Sequence, residues 1–152
     1  MRPRFFASIV NILSLCIVIA GVSIYFINES HLMGYIMIGL ALVCLVSLRP
    51  FKISFKATLP DIFFGMIDNG ILAVLAIFGG HFAGVTGAVM GGVVGNAITD
   101  GIAGIFEGRA AETLRARLVP EERTMLKSAV GKMAGCLLGA GVVLIIDQAL
   151  RF

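Results

Sequence analysis

Five long apolar stretches, separated by short polar ones, dominate the chain, at about residues 5–27, 32–48, 59–79, 84–107 and 129–147. The first is long enough to cross roughly 30 Å of hydrocarbon at about 1.5 Å per helical residue. The pattern predicts an all-α, polytopic helical membrane protein with about five transmembrane helices. Pro60 falls in the predicted first turn of helix three, where a missing N–H costs least. Residues 1–58 read as two N-terminal transmembrane helices and a basic loop, and residues 59–152 as a core of three transmembrane helices with an interfacial connector. In the connector, Ala110, Ala111, Leu114 and Leu118 lie at helical spacing against Arg109, Glu112 and Arg115. That pattern suits a short helix in the interface that ends at Pro120, and equally a plain solvated linker. Arg2 and Arg4 resemble a signal-peptide n-region, but the run behind them is longer than an h-region and no A-x-A-like site closes it, which predicts a retained signal anchor.

Composition places this pattern in lipid. Of 152 residues, 59% are hydrophobic and 14% charged, and the mean hydropathy of +1.01 is too high for a soluble domain of this length. With 19 glycines and no tryptophan, small residues rather than aromatics are expected to mediate helix packing. The net charge of +3 takes its meaning from position. Arg2, Arg4, Arg49, Lys52, Lys56, Arg109, Arg115, Arg117, Arg123, Lys127 and Lys132 all fall on one side of the predicted topology, and only Arg151 on the other. The positive-inside rule then puts the N-terminus in the cytoplasm and the C-terminus outside, and explains the basic balance without nucleic acid.

Cys16, Cys44 and Cys136 fall one per apolar segment without CxxC spacing, as small buried apolar residues would. His31 and His81 sit in the two predicted outer loops, as uncoupled loop histidines or as a metal- or pH-sensing pair. No Ser/His/Asp or Cys/His set can be assigned to one pocket, no Walker motif occurs, and neither an enzyme nor a cofactor is expected.

The exceptions to apolarity carry the candidate chemistry. Asp68 lies eight residues into helix three, about 12 Å deep, and Asp100 seven residues into helix four from the same side, about 10 Å deep, at about 1.5 Å per residue. Asn69 adjoins the first, and Asn96 stacks one turn from the second with Thr99 beside it. An intramembrane charge costs about 2.5–3.5 kcal/mol on insertion scales. Residues three and four positions from either aspartate are apolar, small or amide, so neither helix supplies its own base. Protonation, a bound cation or both must therefore compensate. Asp68, Asn69, Asn96, Thr99 and Asp100 thus form a candidate cation site, with Asp68 and Asp100 as the charged metal ligands. The alternative is that the carboxylates are protonated or bond between helices as packing contacts. Asp61, Glu107 and Lys132 near the inner boundary are candidate vestibule or accessory residues, although Asp61 also suits a helix N-terminus and Lys132 can snorkel out.

Gly87, Gly91 and Gly95 repeat every fourth residue, as do Gly131, Gly135 and Gly139, giving two stripes for close helix approach within one chain or in a homodimer. Gly65, Gly70, Gly101 and Gly104 flank the aspartates, where local unwinding would free carbonyl ligands. The segment Ile67–Ala73 resembles Ile98–Ala103 with one residue skipped, suggesting an inverted pair in helices three and four.

Phe64-Gly65-Met66-Ile67-Asp68-Asn69, then Gly95-Asn96-Ala97-Ile98-Thr99-Asp100 with Gly104 and Glu107, then Gly131-Lys132 and Gly135-Cys136-Leu137-Leu138-Gly139 are together similar to the core motifs of the transmembrane protein 65 family. The resemblance covers about residues 61–146; Thr99 replaces the expected serine but keeps the hydroxyl, and the first two helices lie outside it. It implies sodium/calcium exchange or a close relative, with the family's motifs carried onto Asp68, Asn69, Asn96, Thr99, Asp100 and Glu107. The combined expectation is a cation antiporter carrying calcium, sodium or protons, homodimeric, in a bacterial plasma (inner) membrane. The alternatives are a non-transporting scaffold or regulatory subunit assembled through the glycine faces, and a passive channel.

Overall fold

A computed structural model of the chain describes the backbone of residues 3–117 and 125–150, and the side chains of residues 5–29, 31–102, 104–105 and 125–150. Its helices are α1 (Pro3–Tyr25), α2 (Ser30–Val46), α3 (Phe55–Arg117) and α4 (Met125–Leu150), with a 3-10 turn at Arg49–Phe51. Among the described residues, four helices are long and apolar enough to cross a membrane, over Phe5–Tyr25, His31–Phe51, Phe55–Ile102 and Met125–Leu150. Their outward faces agree with a lipid setting: Ile17 is 73% exposed and Val85 83%. Contiguous apolar exposure on this scale is unfavourable in water.

The third apolar window is 48 residues long, about 72 Å at about 1.5 Å per residue, more than twice the hydrocarbon thickness. Its helix is interrupted at Ala83 and at Gly84, where φ is 58° and ψ −138°. The break thus replaces the predicted loop, and His81 lies in helix rather than in a connection, as does His31 in the first turn of α2. The break divides α3 into a first arm (55–82) and a second arm (85–117). A side-chain Cβ at Gly87 would run into the Gly79 carbonyl, one at Gly91 into the Leu75 carbonyl, and one at Gly95 would lie 3.0 Å from the Leu72 Cα. These pairings run in opposite order along the two arms, so residues 72–79 and 87–95 form an antiparallel hairpin sealed by one glycine row. Away from the break α3 is helical throughout, so Gly65, Gly70, Gly101 and Gly104 do not unwind it.

Residues divide into two compact units, one running up to Gly70 and including α4, the other beginning at Ile71 and holding the hairpin formed by the end of the first arm and the second arm. In the first, α4 is the hub. A Cβ at Gly135 would strike the Ile62 carbonyl, one at Gly139 the Met66 carbonyl, and one at Gly131 would lie 2.8 Å from both Asp61 Cβ and Thr58 Cγ2. The first arm therefore runs parallel to α4, with rows of four-residue spacing in register. On another face, Gly141 approaches α2, where a Cβ would lie 2.9 Å from the Gly34 carbonyl and 3.0 Å from Ile38 Cγ1. Leu15, Ala41, Cys44, Leu48, Leu126, Val130 and Ala134 make the buried core. Across α1 and α2, Asn11 Nδ2 donates to Ser47 Oγ at 3.2 Å, and that hydroxyl donates to the Cys44 carbonyl at 2.7 Å. Cys44 is buried as expected, whereas Cys16 is exposed on the outer face of α1.

A Cβ at Gly84 would meet no atom within 4 Å, so the requirement for glycine there is one of backbone alone. Gly84→Ala is expected to cost about 1–3 kcal/mol, while Gly101→Ala, in open helix, is expected to be neutral or stabilising by up to about 1 kcal/mol. Thermal unfolding of the detergent-solubilised protein checks the contrast; equal midpoints would argue against the reversal at Ala83–Gly84.

Candidate functional site

The seam between the first arm of α3 and α4 holds the most enclosed carboxylate among the described residues. α3 begins at Phe55, earlier than the apolar run suggests, so Pro60 lies inside the helix rather than in its first turn. Proline has no N–H, and the Lys56 carbonyl accordingly loses its partner four residues on. Asp61 is therefore not a helix-terminal residue. It is only 2% exposed and accepts a hydrogen bond from Ser128 Oγ of α4 at 2.9 Å. Thr58, one turn earlier and also buried, donates its hydroxyl to the Ser54 carbonyl at 3.0 Å.

Further along the same seam, Lys132 does not simply extend outward: its ammonium lies 4.8 Å from the centroid of the Phe64 ring, within cation–π range. Next comes Asn69, whose Nδ2 donates to Cys136 Sγ at 2.7 Å and makes a longer contact to Asp68 Oδ2 at 3.4 Å. Asp68 itself is half-buried. Ser128, Lys132 and Cys136 succeed one another at four-residue spacing and form one row on α4, beside the glycine row. They meet Asp61, Phe64 and Asn69 in turn, giving a file of polar contacts along two apolar helices.

The hairpin carries the other candidate ligands. Asn96 Nδ2 donates to Asp100 Oδ2 at 2.8 Å, one turn apart on an exposed face of the second arm. The amide oxygen of Asn96 and the second carboxylate oxygen of Asp100 then present two hard oxygens on one surface. Thr99 turns elsewhere: it is 5% exposed, and its hydroxyl lies 3.1 Å from the carbonyls of both Gly95 and Asn96. Asp68 and Asn69 belong to the unit containing α4, and Asn96, Thr99 and Asp100 to the hairpin unit. The Glu107 side chain, and Pro120 with the end of the connector, lie outside the described residues, while the helix backbone runs on through Arg117. Among the described residues, no group of three or more His, Cys, Asp or Glu side chains is placed to hold a metal ion.

No protein-family model, curated protein or solved structure matches the chain. Ser128 has no place among the residues that sequence alone singles out, and Cys136 reads there as filler. The signal that finds them is the four-residue spacing of Ser128, Lys132 and Cys136, one position around α4 from the glycines. Ser128→Ala would remove a hydroxyl donor from an enclosed carboxylate and is expected to lower stability by about 1–2 kcal/mol. Chemical or thermal unfolding in detergent measures this; an unchanged stability would show that the Ser128–Asp61 contact contributes nothing to the seam.

Proposed function

We propose that this protein is a cation antiporter of the membrane, with Asp68 and Asp100 as the carboxylates that carry the ion. The observation that supports this best is the polar file at the α3–α4 seam, where Asp61, Lys132, Asp68, Asn69 and Cys136 interrupt helices that are otherwise apolar. Ionisable groups at such positions are costly in lipid and recur along ion and proton paths. Asp100 adds a second carboxylate already oriented by an amide, with oxygens facing outward. Exchange without ATP follows when competing ions share charge-matched oxygens, and Asn69, Asn96 and Thr99 are the accessory oxygen donors of this proposal. The choice of sodium and calcium rests on the resemblance to the transmembrane protein 65 family; protons are the third candidate ion.

In this proposal the chain crosses the membrane five times, the two arms of α3 supplying one crossing each as an inverted pair. The first arm is parallel to α4, α2 is antiparallel to it and the arms oppose one another, all as expected of alternating crossings. With the basic residues inside, the N-terminus is cytoplasmic, the C-terminus is outside, and the setting is a bacterial inner membrane. The scaffold alternative draws less support, because both glycine stripes are already covered by helices of the same chain. A homodimer would therefore form through other faces.

Purified protein reconstituted in liposomes tests the proposal. Sodium-gradient-driven calcium uptake is expected, reduced about tenfold or more in Asp68→Asn and in Asp100→Asn as a ligand charge is lost, with both variants inserted normally. Absence of flux at verified insertion under sodium, calcium and proton gradients would sink antiport, and flux without counter-ion dependence would indicate a channel.

A further inference from the structure

A half-open cavity of about 440 Å³ lies where α2 ends and α3 begins, outside the polar file described above. Its walls include Leu42, Leu45 and Val46 of α2 and Ile53 and Phe55 of the following segment, with Arg49 among them. Leu42, Val46 and Phe55 are also among the exposed large apolar residues of the chain, so the apolar side of the cavity opens toward the hydrocarbon. Its polar side lies at the boundary, because one apolar window ends at Phe51 and the next begins at Phe55.

The turn that closes the cavity is held in an uncommon conformation. Lys52 has φ 57° and ψ 30°, and its N–H bonds the Arg49 carbonyl at 3.0 Å. A left-handed backbone is unfavourable for a residue other than glycine, and here it reverses the chain directly after Arg49. Between Ser47 and Pro60 the sequence holds Arg49, Lys52 and Lys56 and no acidic residue. An apolar trough open to lipid, with Arg49 in its wall, Lys52 on the same turn and Lys56 in the first turn of α3, is complementary to one kind of molecule. Acyl carbons fit the trough, and a phosphate fits the bidentate geometry of arginine.

We propose that this cavity is a binding site for an anionic phospholipid, with Arg49 holding the phosphate and Leu42, Val46 and Phe55 bedding the first acyl carbons. The site requires that the apolar helices be embedded in a bilayer but not that the protein carry ions, so the outcome of the flux assay leaves it untouched. Its occupant comes from the bilayer rather than from solution, since a free phosphate would make no use of the apolar walls.

Native mass spectrometry of the full chain released from mixed phosphatidylcholine and phosphatidylglycerol nanodiscs is the test. Phosphatidylglycerol is expected to be retained in preference to phosphatidylcholine, and Arg49→Ala to reduce that retention more than about tenfold. Lys56→Ala serves as the control for general attraction to an anionic surface, with a loss of no more than about fivefold, the equivalent of about 1 kcal/mol per basic residue. Leu42→Trp, at an exposed position, fills the trough without changing charge and is expected to displace the lipid too, which keeps the test decisive if Arg49→Ala does not fold. Equal losses in Arg49→Ala and Lys56→Ala, retention unchanged in Leu42→Trp, equal retention of both lipids, or displacement by inorganic phosphate alone would each overturn the proposal.

Discussion

Helices surrounded by hydrocarbon gain little from burying one more apolar side chain, because lipid is as apolar as leucine; what they gain comes from close, extensive contact and from polar bonds between them. The backbone contact between α4 and the first arm of α3 is where this constraint acts most directly. At Gly131, Gly135 and Gly139 any side chain would meet Thr58 and Asp61, the Ile62 carbonyl or the Met66 carbonyl. The parallel course of the two helices is fixed by these three positions together, since rows of equal spacing interlock in only a few registers. The hairpin repeats the device with Gly87, Gly91 and Gly95, this time antiparallel. Glycines, rather than a large core, hold the helices together: four of the core residues, Ala41, Cys44, Val130 and Ala134, are small side chains with no exposed surface at all.

Close approach also has a chemical consequence. Side chains next to a glycine row are drawn within bonding distance of the facing helix, and the row next to Gly131, Gly135 and Gly139 is Ser128, Lys132 and Cys136. The 2.9 Å bond from Ser128 to Asp61 and the 2.7 Å contact from Asn69 to Cys136 both depend on that proximity. A bulkier stripe would separate the helices and leave an enclosed carboxylate without its hydroxyl, a loss more costly than the bond is favourable. Packing and chemistry along this seam are therefore one property of two adjacent rows of α4.

Much of the helical architecture was legible in the sequence because its signals are long and repetitive. Apolar runs located α1, α2, α4 and both arms of α3, and four-residue glycine spacing located the contact faces. Details governed by single residues were less legible. Pro60 suggested a helix start, yet proline is tolerated after the first turn when neighbouring groups compensate, so α3 begins at Phe55 and carries Asp61 into the seam. Sequence spacing placed Asn96 and Asp100 on one face, as they are. It left open whether the Thr99 hydroxyl joins them; that hydroxyl instead turns back onto the carbonyls of its own helix, a local bond open to any helical threonine. Nor could spacing along α3 alone show Asn69 linked to Cys136, a residue sixty-seven positions away.

The surroundings of the carboxylates also separate them by what each is suited to do. An ion carrier must exchange ligands, so its oxygens have to be reachable and their present contacts replaceable. Asp61 is enclosed, lies where a Gly131 side chain would collide with it, and is bonded by a hydroxyl from the facing helix. Asp61 is thus held by the close contact of the two helices. Asp100 is exposed and oriented by an amide of its own helix, so a cation can take its second oxygen without disturbing that bond. Asp68 is intermediate, half-buried with a long contact to the amide of Asn69. Asp61 is enclosed where the Gly131 row closes on it, whereas Asp100 lies on an exposed face, and it is this difference in packing that makes Asp100 the better suited of the two to the ligand exchange that antiport would require.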